Sequence, residues 1–106
     1  MKICLIIPTL NEEKNIIKLF NNIKKTKIKL DILFVDDNSS DQTQKLILFL
    51  KNKYKNIDYL FRKKKIGIGS AHKDGIKLCF KKKYDLIITM DADGTHDPKY
   101  LKEMIS

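Results

Sequence analysis

The chain of 106 residues has the length of one domain, and its 42% apolar content is that of a globular protein with a buried core. It has no apolar run of about 18 residues or more, which excludes a transmembrane helix here, and its short apolar start, broken by Pro8 and followed by Glu12 and Glu13, does not read as a signal peptide. The net charge of +9 invites a nucleic-acid reading, but only Arg62 of the 22 basic residues is arginine, the side chain that bidentate base recognition favours, so no nucleic-acid partner is expected.

In chain order, Ile3 to Ile7 is a continuous apolar run, the pattern of a strand buried on both faces, with Pro8 expected to end it. Ile16, Ile17, Leu19, Phe20 and Ile23 give an apolar stripe to a helix from about Glu12 to Lys25. Ile32 to Val35 forms a second buried strand. A second helix follows from Asp41 to Lys53, with Leu46, Ile47, Phe49 and Leu50 as its apolar side. Ile57, Tyr59 and Phe61 alternate as a third strand. Ile68, His72, Ile76 and Cys79 lie at helical spacing, and Leu86 to Met90 is a fourth strand. Asp97 then fits an N-cap with Pro98 at the first helical position, before the apolar Leu101, Met104 and Ile105. The basic runs, Arg62 to Lys65 among them, read as solvated edges, and a lysine-rich face also suits anionic phospholipid or an anionic substrate.

Strict βαβαβαβα alternation predicts a Rossmann-like parallel sheet with alternating helices, in which ligands bind at the carboxyl ends of the strands. The polar clusters follow the strands: Pro8 to Glu13 after the first, Asp36 to Asp41 after the second, Asp91 to Asp97 after the fourth. The first two also read as turns with helix caps, through Asn11 and Asn38. Adjacent aspartates after a buried strand are costly without a partner, and the carboxylates of Asp36 and Asp37 suit a nucleobase or ribose hydroxyls. The last helix barely begins before residue 106, so residues 1–106 are expected to form a single, incomplete domain.

The sharpest chemistry lies in Asp91-Ala92-Asp93, where an apolar strand runs into two carboxylates one residue apart. Side chains at i and i+2 of an extended segment point the same way, and two carboxylates so placed repel unless a cation sits between them. Hard oxygen ligands favour Mg²⁺ or Mn²⁺, held by one or two carboxylates together with substrate phosphates. His96 is near enough in sequence to approach such a site, whereas His72 reads as a packed helix residue. Gly67-Ile68-Gly69-Ser70-Ala71 is a poor dinucleotide fingerprint, because His72 stands where the third glycine belongs. Gly75, inside a helix, points to close packing. Cys4 and Cys79 read as buried free thiols, in keeping with a reducing, cytoplasmic setting.

Four segments in order carry a family resemblance: Ile6 to Glu13, Phe34 to Thr43, Gly67 through Gly75, and Met90 to Pro98. With them the whole chain resembles the glycosyltransferase family 2 enzymes, most of all their dolichyl- or polyprenyl-phosphate sugar transferase branch. The resemblance implies the nucleotide-binding half of a glycosyltransferase A-type fold. It implies an inverting transfer from a nucleotide-diphosphate sugar, of GDP-mannose or UDP-glucose type, with a polyprenyl phosphate at the cytoplasmic membrane face as acceptor. By resemblance Pro8, Leu10 and Glu12 line the nucleoside pocket, Val35 and Asp37 contact base or ribose with Asp36 beside them, and Asp91, Ala92 and Asp93 meet the diphosphate. Asp91 and Asp93 would serve as the metal-binding, catalytic pair. Leu10 stands where relatives often carry an aromatic residue, and Asn38 replaces a usual glycine.

Three rival readings compete with it. Asp91-Ala92-Asp93-Gly94-Thr95 also fits the opening motif of haloacid dehalogenase-like phosphatases, with Asp91 as nucleophile and Asp93 as acid/base, but leaves the earlier loops unexplained. A nucleotidyltransferase would want a Gly-rich, basic phosphate loop after the first strand. An RNA-binding module would want an aromatic platform.

Overall fold

A computed structural model describes residues 1–63, 68–92 and 101–105, with the backbone alone at residues 68, 69, 72, 102 and 104. The elements are β1 (Ile3–Thr9), α1 (Ile16–Lys25), β2 (Asp31–Asp36), α2 (Thr43–Lys53), β3 (Ile57–Phe61), α3 (Ile68–Lys81), β4 (Leu86–Thr89) and α4 (Leu101–Ile105). The four strands form one parallel sheet in the order β3-β2-β1-β4.

The alternation of side chains along each strand sorts the core into two layers. Leu5, Ile7, Ile32 and Phe34 face α1 and α2 and pack on Ile16, Phe20, Ile47 and Leu50, with Leu101 of α4 in the same layer. Cys4, Ile6, Leu33 and Val35 face the other way, against Ala71 and Cys79 of α3. Runs such as Ile3 to Ile7 are continuously apolar because both faces of these strands are covered.

Four expectations need correction. β1 does not stop at Pro8 but runs to Thr9, with Pro8 in register with Val35. Ile6 turns its carbonyl toward β4, accepting from Met90 N–H at 2.9 Å, so Pro8, two residues on, faces the same side beyond the end of β4. There the missing donor of proline interrupts no ladder. α1 begins at Ile16 rather than Glu12, because the preceding residues are tied into a loop. Phe49 and Ile76 point outward, 56% and 41% exposed, while Ile47, Leu50 and Cys79 supply the buried stripes. Arg62 is no solvated edge but is almost wholly buried. The expected cap at Asp97 and Pro98 lies outside the described residues.

Candidate functional site

All strands are parallel, so all strand-end loops reach the same rim. β1 is central there, flanked by β2 and β4. Thr9 is in register with Asp36, and Asp37 N–H donates to Thr9 O at 2.9 Å. On the other flank Ile6 is in register with Thr89, two residues before Asp91. Asp37 and Asp91 thus stand at one end of the sheet, on either side of the end of β1. The strand order also reverses between β1 and β4, with α1 and α3 on opposite faces, the switch point at whose carboxyl rim open α/β sheets bind their ligands.

The loops after β1 and β2 are stitched together. Asn11 takes the left-handed conformation, with φ 53°, which asparagine tolerates. Its N–H donates to Ser39 Oγ at 2.8 Å and its side-chain carbonyl accepts from Ser40 N–H at 2.8 Å. Glu12 N–H donates to Thr43 Oγ1 at 2.8 Å, and Asn15 Nδ2 donates to the Glu12 carboxylate at 2.8 Å. Asn11 therefore ties one loop to the other rather than capping α1. Asp41 accepts from Thr43 N–H and Oγ1 and from Glu13 N–H. Desolvation pushes its carboxyl up, but these hydrogen bonds prevail and hold it below the usual carboxylate range.

Asp36, wholly buried, is the hub of this construction. Its carboxylate accepts from Thr9 Oγ1 at 2.6 Å, Ser39 Oγ at 2.6 Å, Ser39 N–H at 2.8 Å and Gln44 Nε2 at 2.8 Å. The side chain orders both loops. Asp37, beside it, has Arg62 Nη2 at 3.2 Å from its Oδ1, and Arg62 Nη1 lies 3.4 Å from Asp74 Oδ2 on α3. Both Arg62 contacts are ion pairs without hydrogen-bond alignment, so the guanidinium nitrogens make no hydrogen bond among the described residues.

The remaining sequence-predicted residues divide by position. Pro8 is buried at the rim, and Leu10 and Glu12 are half-buried in the loop after it. Val35 sits at the rim in register with Pro8, its side chain in the core layer under α3. Asp91 is half-buried at the end of β4 and Ala92 is buried. Asp93 and His96 lie outside the described residues, as does Gly67. Among the described residues no cluster of three or more His, Cys, Asp or Glu is placed to hold a metal. Arg62 is the residue that sequence reasoning missed. The available signal was its being the one arginine among lysines, directly after a strand.

An open parallel sheet with polar loops gathered at its carboxyl rim, beside the reversal in strand order, defines a Rossmann-like α/β domain. The family model for Glycosyl transferase family 2 matches residues 4–106, nearly the whole chain, and the chain belongs to that family. Dolichol-phosphate mannosyltransferase of Pyrococcus furiosus is 35% identical over 107 residues, covering 99% of this chain and 29% of that protein. Undecaprenyl-phosphate mannosyltransferase of Micrococcus luteus is 30% identical over 105 residues, covering 99% and 43%. The crystal structure of S. aureus TarS 1-349 in complex with UDP superposes with a TM-score of 0.81 at 27% identity, covering 99% of this chain and 31% of that one. The fold is thus that of the glycosyltransferase A type. The chain spans less than half the length of the curated relatives it matches. Family membership sets aside the phosphatase, nucleotidyltransferase and RNA-binding alternatives.

Proposed function

We propose that this chain is the donor-binding part of an inverting glycosyltransferase that passes a hexose from a nucleotide-diphosphate sugar to a polyprenyl phosphate. The observation that carries the reading is the gathering of Asp37 and Asp91 at one rim, on either side of β1. The names of the mannosyltransferase relatives support the acceptor class, and the UDP complex of TarS supports a nucleotide donor.

In this reading the loop Pro8 to Glu12 and the end of β2 receive the nucleoside. Asp37 stands at the end of β2 beside the expected base, its carboxylate held by the Arg62 guanidinium. Asp36 acts one step back, holding the loop that presents Asp37. Asp91, with Asp93 after it, would hold Mg²⁺ or Mn²⁺ against the diphosphate. When bound there, a divalent cation supplies neutralisation of the charge that builds on the departing nucleotide. A phosphate oxygen of the acceptor is already anionic and attacks the anomeric carbon without a protein base. Attack from the face opposite the leaving group inverts the anomeric centre. The acceptor-side groups belong, in this proposal, to the part of the relatives that lies beyond their match to this chain, so donor binding rather than turnover is the direct readout.

Titration calorimetry with GDP-mannose and UDP-glucose, with and without Mn²⁺, tests it. The wild-type chain is expected to bind one donor in the presence of Mn²⁺, and Asp91→Ala and Asp93→Ala to lose at least about tenfold in affinity, or about 1.4 kcal/mol. Metal-independent binding that survives both substitutions would overturn the assignment.

A further inference from the structure

The thiols of Cys4 on β1 and Cys79 on α3 are buried and lie 2.9 Å apart, sulfur to sulfur. They sit in the core layer under α3, toward the amino end of the sheet and away from the rim that carries Asp37 and Asp91. The proposed donor chemistry uses neither. A cavity of about 150 Å³ reaches both, lined also by Leu78, Lys82 and Tyr84. Two thiols at this separation need their sulfurs to close by less than an ångström to reach the bonding distance of about 2.05 Å. Elements already packed against each other through Ile6, Ala71 and Leu33 hold them in place.

We propose that Cys4 and Cys79 are an oxidative modification site, a dithiol that closes to an intramolecular disulfide tying α3 to β1. The oxidant is hydrogen peroxide, of a size that the cavity admits. One thiol attacks the peroxide O–O bond, giving a sulfenic acid and one water. The second sulfur then attacks the sulfenic sulfur, the S–O bond breaks, the S–S bond forms, and a second water leaves. Overall the two thiols lose two protons and two electrons, and the peroxide takes up both and is reduced to two waters. Desolvation pushes both thiols up, so the pair is mostly protonated at neutral pH and its oxidation is slow. The partners are 75 positions apart in sequence, so the bond closes a long loop and restricts the unfolded chain far more than the folded one.

The test treats the purified chain with hydrogen peroxide, blocks remaining thiols under denaturing conditions, and reads intact mass, peptide map and thermal midpoint. Met1, 75% exposed, reports by its sulfoxide that the oxidant was active. The expected product is a monomer that has lost two hydrogens at cysteine. Its map contains one peptide pair joining Cys4 to Cys79, its midpoint is raised by several degrees, and dithiothreitol reverses both changes. Cys79→Ser, or Cys4→Ser, should abolish the linked pair; if one variant fails to fold, the other suffices. Full alkylation of both cysteines after Met1 is oxidised would overturn the proposal, as would disulfides only between molecules, or sulfinic acid without a link.

Discussion

Asp37 and Arg62 form an ion pair in which both side chains are nearly withdrawn from water, 3% and 5% exposed, with Nη2 3.2 Å from Oδ1. The pair joins the end of β2 to the segment after β3, which is also held by Arg62 N–H donating to Asp36 O at 2.8 Å. Breaking one side of a buried ion pair is expensive because the other charge stays behind. Arg62→Met, which keeps bulk and removes charge, is expected to destabilise the chain by about 3 kcal/mol in urea denaturation. Arg62→Lys should cost less, since it keeps the charge and loses the planar fork. Adding Asp37→Asn to Arg62→Met should recover part of the loss; purely additive effects would mean that the two groups do not interact.

Asp36 makes a different prediction, because its neighbours are donors rather than a cation. Four hydrogen bonds converge on one buried carboxylate and link β1, the loop after β2, and α2. Hydrogen bonds to a charged group are worth about 1.5–3 kcal/mol each, though not additively. Asp36→Ala should therefore lower stability by about 3 kcal/mol or more. Asp36→Asn, which keeps acceptor capacity on one side only, should cost about half that. In donor titrations both variants should weaken affinity, because the loop presenting Asp37 loosens. Unchanged denaturation midpoints in both would show that the hub is not structural.

What the sequence made legible, and what it hid, follows from the range of the forces involved. Buried parallel strands announce themselves locally, as in Ile3 to Ile7 and Ile32 to Val35, because burial on both faces leaves no polar position. The placement of Asp37 and Asp91 at one rim follows from the alternation of elements alone. Arg62 was hidden because its burial depends on a carboxylate from a neighbouring strand end, and in sequence it heads a run of lysines. Phe49 and Ile76 misled because an apolar helical stripe is broad, and one residue at its edge can face water. The start of α1 is not legible locally because the bonds from Glu12 and Asn11 to Thr43 and Ser39 are tertiary, and override the local preference of Asn11 for a cap.

Gly75 gives a packing test. A Cβ added there would lie 2.8 Å from Ile6 Cγ2 and 3.2 Å from Val35 Cγ2, both on the sheet. Ile6 is fully buried and β-branched, so its methyl has little freedom to move aside. Alanine in a helix gains about 1 kcal/mol over glycine, while overpacking a tight core costs about 1–3 kcal/mol. Gly75→Ala should thus be net destabilising by about 1 kcal/mol, read as a lower urea midpoint. A stabilised variant would mean that α3 shifts away from β1 without penalty.

Alkaline pH should weaken the fold through a cluster at the opposite end of the sheet. Burial pushes the Cys4 and Cys79 thiols up. Burial, with the hydrogen bond that Tyr84 Oη donates to Asp31 Oδ2 at 2.7 Å, pushes the Tyr84 phenol up as well. The Lys82 ammonium is raised by its hydrogen bond to Asp58, 2.7 Å away, but that pair is about two-fifths exposed and screened by water. In each case the folded-state value lies above the unfolded one, so the stabilisation is fully present below the unfolded value and is lost as pH rises through the folded one. Unfolded thiols titrate near about 8.5, and tyrosine and lysine near about 10. Thermal midpoints are therefore expected to hold up to about pH 8 and then fall by several degrees toward pH 10. The double variant Cys4→Ser, Cys79→Ser should begin its decline about one pH unit later, because only the tyrosine and lysine remain to lose their protons. A flat midpoint across that range, or the same decline in the double variant, would mean that these groups titrate alike in both states.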